Sequence, residues 1–77
     1  MYSGETIKLL RLLKGFSQQG IARKLGISQA AYSKLEKRKV VAHERSDEIL
    51  AIFQCSEEDI KSLERLKTYY IDAPIKR

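Results

Sequence analysis

A chain of 77 residues holds one hydrophobic core and is too short for two, and its single cysteine, Cys55, excludes an internal disulfide. The net charge of +5 is polarised: residues 1–41 carry nine basic side chains (Lys8, Arg11, Lys14, Arg23, Lys24, Lys34, Lys37, Arg38, Lys39) against Glu5 and Glu36, whereas residues 42–77 carry six basic against eight acidic ones. No apolar run approaches the roughly 20 residues of a membrane span, so the expected setting is aqueous and reducing, with no membrane partner and a cytoplasmic location.

No stretch alternates apolar with polar residues for long, and the expected fold is therefore all-α, a single domain over 1–77 with 68–77 as a C-terminal extension. A first helix, roughly 4–14, sets Ile7, Leu10 and Lys14 on one face and ends at Gly15, which can take positive φ. Ser17 caps a second, roughly 18–25, with Ile21, Ala22 and Leu25 on one side, and Gly26 closes it. Ser28 caps a third, roughly 29–37, whose spacing turns Tyr32 and Leu35 inward and Gln29, Ala30, Ser33, Lys34 and Lys37 outward. A fourth starts between His43 and Ser46 and ends near Phe53, with Ile49, Ile52 and Phe53 as its core stripe. Ser56, followed by Glu57, Glu58 and Asp59, marks the start of a fifth, with Ile60, Leu63 and Tyr70 as its apolar face.

The window Gln18 to Lys37, QQGIARKLGISQAAYSKLEK, has the spacing that a helix-turn-helix needs for mechanical reasons. Ala22 admits a close second helix, Gly26 makes the turn, and Ile21, Tyr32 and Leu35 wedge the two helices at a fixed angle. The second helix of such a pair fits the major groove of DNA, about 12 Å wide.

Residues 7–36, IKLLRLLKGFSQQGIARKLGISQAAYSKLE, resemble the phage-repressor or Cro family of helix-turn-helix regulators, also called the XRE family. The match lies in Ile-x-x-Leu-Arg at 7–11, Gly-Phe-Ser-Gln at 15–18, Ile-Ala at 21–22, Lys-Leu-Gly-Ile-Ser-Gln at 24–29, and Tyr32, Leu35 and Glu36. The resemblance implies a compact, lambda-repressor-like five-helix bundle that binds double-stranded DNA without enzymatic activity and without a cofactor. It places Gln18 on the DNA backbone, turns Gln29, Ala30 and Lys34 toward base edges, and joins Arg11 to Glu36 as an ion pair. Arg11 shares a side of its helix with Ile7 and Leu10, so its head group is expected to be desolvated and to need such a partner. After Glu36 the family usually has a glycine and then a proline, whereas this chain reads Lys37-Arg38-Lys39-Val40-Val41-Ala42 and is one residue shorter. Gly20 also departs, standing where the family favours a better helix former.

Gln29 can bond bidentately to adenine, and Lys34 reaches either a guanine or a phosphate. Ser28, Ser33, Lys37, Arg38 and Lys39 are expected on the DNA backbone, the basic run following the recognition helix where phosphates pass. One histidine and one cysteine lack the paired spacing of a zinc site, so no metal is expected, and His43 with Cys55 makes no nucleophilic pair without a third group to orient it. Cys55 is expected to be a small buried hydrophobe. So small a domain gains from self-association, which predicts a homodimeric regulator, in the first instance a repressor, on a two-fold symmetric operator. The alternative is an antitoxin or antirepressor-type module with a protein as its main ligand. Finally, Leu9, Leu12 and Leu13 cluster opposite the core face of the first helix, joined by Tyr2 if the helix reaches it, and residues 68–77, with Tyr69, Tyr70, Ile71 and Ile75, are expected to fold onto them within one subunit or across a dimer.

Overall fold

The computed structural model describes residues 2–67, which form five α-helices: α1 (Gly4–Lys14), α2 (Gln18–Leu25), α3 (Gln29–Glu36), α4 (His43–Phe53) and α5 (Glu57–Lys67). Four of the five start at a serine whose hydroxyl accepts an otherwise orphaned first-turn amide: Ser3 from Thr6, Ser17 from Gly20, Ser28 from Ala31 and Ser56 from Asp59. Ser56 caps α5 reciprocally with Asp59, its hydroxyl accepting the Asp59 amide at 3.1 Å while Asp59 Oδ2 accepts the Ser56 amide at 3.0 Å. Gly15 and Gly26 stop α1 and α2 with φ of +81° and +71°, as only a residue without a Cβ does cheaply.

The core is the meeting of four helices. Ile7 and Leu10 from α1, Ile21 and Ala22 from α2, Tyr32 and Leu35 from α3, and Ile49, Leu50 and Phe53 from α4 are buried together. Phe16, in the turn between α1 and α2, stacks obliquely on Phe53 with ring centroids 5.4 Å apart. α5 lies against α1, with Ile60 and Leu63 half-buried on the core and Lys14 paired to Asp59 at 3.2 Å.

Several expectations are corrected. Helix α1 does not reach Tyr2, which instead forms an isolated antiparallel bridge with Val41 and packs its ring on the core. Tyr2 is therefore no part of a leucine face. In α4, Leu50 is buried while Ile52 is only partly covered, and Cys55 is half-buried rather than enclosed. Helix α4 starts at His43 behind Ala42, which makes no side-chain cap, and stops at Gln54 with φ of +57°. Leu12 and Leu13 are 55% and 65% exposed and Leu9 is half-buried. The segment expected to cover them, 68–77, and the Tyr70 assigned to the face of α5 lie outside the described residues.

Candidate nucleic-acid interface

Helices α2 and α3 pack through Ile21, Ala22, Tyr32 and Leu35, all buried, and the three-residue turn Gly26 to Ser28 sets the second helix across the first. This packing leaves the start of α3 outermost. Ser28, Gln29, Ala30 and Lys34 are exposed, Ser33 is half-buried, and the amides of Gln29 and Ala30 in the first turn have no partner within the helix. Ser28 Oγ accepts the Ala31 amide at 3.1 Å, which leaves its O–H able to donate. Lys37, Arg38 and Lys39, just beyond the end of α3, are exposed as well.

Behind this surface lies a buried polar knot. Arg11 Nε donates to Glu36 Oε2 at 2.6 Å, its Nη1 to the carbonyl of Phe16 at 2.8 Å, and Gln18 Nε2 donates to Glu36 Oε1 at 2.9 Å. One arginine thus ties α1, the turn into α2 and the end of α3, and its side chain and that of Glu36 are 9% and 3% exposed. Burial alone would raise the Glu36 carboxyl pKa, but the hydrogen bonds from Arg11 and Gln18, helped by the nearby Tyr32 hydroxyl, outweigh it and hold the pKa below the usual carboxylate range. The hydrogen bond to Glu36 raises that of Arg11 further, against desolvation. Burial first, and then the adjacent Glu36 carboxylate, push the Tyr32 hydroxyl far upward, and it meets no acceptor at good hydrogen-bond geometry among the described residues. Both charges of the knot are permanent at neutral pH.

The knot has an electrostatic consequence for the face in front of it. From Thr6 to His43 the only acidic side chain is Glu36, and it is buried against Arg11. The exposed part of α2, α3 and the following loop therefore presents cations, amides and hydroxyls and no carboxylate, which is the surface a polyanion requires.

The candidate base-contacting residues Gln29, Ala30 and Lys34 come together on one face of α3, with Ser28 and Ser33 beside them. Lys37, Arg38 and Lys39 form a second group at the far end. Gln18 differs: one N–H of its side-chain amide is engaged with Glu36 inside the protein, and its backbone amide, in the first turn of α2, has no acceptor within the helix. Sequence reasoning missed that engagement, as it missed Gly4, whose backbone presses on the end of α3. His43 and Cys55 sit at the two ends of α4, and burial, as the leading effect, raises the Cys55 thiol pKa. Among the described residues no group of three or more His, Cys, Asp or Glu side chains is gathered for a metal ion, and no helix is long and apolar enough to cross a membrane.

A recognition helix wedged outward, with a basic and carboxylate-free face, defines a helix-turn-helix DNA-binding domain. A family model described as helix-turn-helix matches residues 7–60, about 70% of the chain, and the chain belongs to that family as an XRE-type, Cro/repressor-like DNA-binding transcription regulator. Neither curated proteins nor solved structures return a match.

Proposed function

We propose that the chain is a homodimeric repressor that binds a two-fold symmetric operator, reading sequence with the first half of α3 and fixing register through the phosphates on either side. The observation that carries this reading is the pairing of an exposed Gln29-Ala30-Lys34 face with a surrounding surface on which the one carboxylate is buried and neutralised. In the major groove Gln29 bonds bidentately to adenine, Ala30 gives apolar contact to a thymine methyl, and Lys34 lies near a guanine edge or its phosphate. Ser28, the backbone amide of Gln18, Ser33 and the run Lys37 to Lys39 hold the flanking phosphates.

A dimer places two such helices about 34 Å apart, matching half-sites one helical turn apart. The expected setting is cytoplasmic, where DNA and a free thiol coexist. Selection of bound sites from a random duplex library tests the reading: a palindromic consensus with one half-site per recognition helix is expected, and an asymmetric consensus would overturn the two-fold operator. Enrichment of no sequence at all would favour a protein as the main ligand.

A further inference from the structure

The loop from Lys37 to Ala42 carries three adjacent cations and lacks the glycine that would stop α3 by itself. Lys37 ends the helix in a right-handed conformation, and the loop's own bonds are two tight-turn contacts, Lys37 N–H to Lys34 O and Arg38 N–H to Leu35 O, each 3.2 Å. Its shoulders are held from outside, by residues 2–4. The Gly4 amide donates to the Arg38 carbonyl at 2.8 Å, and the Val41 amide donates to the Tyr2 carbonyl at 2.8 Å. Between these two ties stand only Lys39 and Val40.

The strap is itself anchored. A Cβ on Gly4 would lie 2.3 Å from the Leu35 carbonyl oxygen and 2.6 Å from the Glu36 carbonyl carbon, so only glycine permits this contact with the end of α3. Ser3 caps α1, and Tyr2 packs on the core. On the loop side Val41 is fully buried, and its carbonyl accepts the hydroxyl of the buried Ser46 at 3.1 Å.

We propose that Tyr2 and Gly4 are positioning residues for DNA binding: the strap 2–4 clamps the basic loop in the shape that meets the phosphate backbone. The inference rests on the assignment of Lys37, Arg38 and Lys39 to phosphates. Three like charges in sequence repel one another and favour an open, mobile loop, which would have to be ordered at the moment of binding. The clamp moves that ordering into the folding of the free protein.

A thermodynamic cycle in nonspecific duplex binding tests this, at low temperature and per folded molecule as judged by circular dichroism. Tyr2→Gly and Gly4→Ala each loosen the strap, and faster hydrogen exchange at the Val41 amide reports the loosening directly. Each is expected to weaken duplex binding roughly three- to thirtyfold with little change in salt slope, because the same phosphates are still contacted once bound. In a background of Lys37→Ala, Arg38→Ala and Lys39→Ala the strap variants are expected to have no further effect. Equal weakening by the strap variants in both backgrounds would overturn the clamp, as would a faster Val41 exchange with unchanged affinity. If the triple substitution itself leaves affinity and salt slope unchanged, the phosphate assignment fails instead.

Discussion

Gln29 and Lys37 stand on the same short helix and its cap yet are expected to do different work. Gln29→Ala removes a bidentate base contact and is expected to relax preference at one base position by about 1–3 kcal/mol, while Lys37→Ala weakens all duplexes alike and lowers the salt slope by about one unit. Binding to cognate and random duplexes over a salt series checks both, and equal effects of Gln29→Ala on the two would remove it from base recognition. The Arg11–Glu36 pair is a second case in which environment decides magnitude. Because both side chains are nearly inaccessible, losing either partner strands the other charge and is expected to cost about 3–5 kcal/mol, against at most about 1 kcal/mol for an exposed pair such as Arg45–Glu48. A double-mutant cycle by chemical denaturation measures the coupling, and a value near zero would contradict the burial. The sign of the pH dependence follows. The folded Glu36 pKa lies below its unfolded value of about 4.3, so its stabilisation is complete above that pH and is lost as pH falls through the folded pKa. Stability should therefore drop below about pH 4, and the drop should be smaller in Glu36→Gln.

Among the described helix ends, those of α4 are poorly capped. Its N-cap, Ala42, has extended backbone angles and no side-chain oxygen, and its C-cap, Gln54, holds a left-handed conformation that costs a non-glycine residue roughly 1 kcal/mol. Ala42→Asp and Gln54→Gly are each expected to stabilise the fold by about 0.5–1 kcal/mol, read as an upward shift in thermal midpoint of several degrees for a domain of this size. Midpoints that fall would show that the exposed caps make contacts the helix geometry does not account for. Helix α1 presents the opposite condition, a start so closely fitted that Gly4→Ala must displace backbone from backbone.

For the molecule as a whole, the polarised charge is legible as a division of the fold, with cations on α2, α3 and the loop, the surface proposed to meet DNA, and the acids concentrated in α4 and α5. Dimeric binding predicts nuclease footprints that span two half-sites at all saturations, and protection of a single half-site at saturating protein would contradict it. The exposed Leu12 and Leu13 belong to this scale too, because two large apolar side chains adjacent on one helix are the kind of surface that self-association would cover. Leu12→Lys with Leu13→Lys is expected to leave the monomer's helicity intact and to weaken self-association in sedimentation equilibrium, and an unchanged dimer constant would remove this face from the dimer.

What the sequence by itself determined were the features that depend on a few neighbouring residues. Helix starts at Ser17, Ser28 and Ser56, helix ends at Gly15 and Gly26, and the inward stripe of Ile21, Tyr32 and Leu35 follow from hydrogen-bond supply, positive φ and helical period, all of which act within about one or two turns. The outward set on α3 is legible for the same reason. The Arg11–Glu36 pair spans 25 positions and was available only through resemblance to a family, since no local rule joins two distant charges. Only the tertiary structure decided what depends on close approach between distant backbones: the Tyr2–Val41 bridge, the glycine at position 4, the buried Ser46 beneath Val41, and the engagement of Gln18 with Glu36. In each of these the deciding quantity is a gap of about 3 Å between segments brought together by the core, and periodicity and capping carry no information about such a gap.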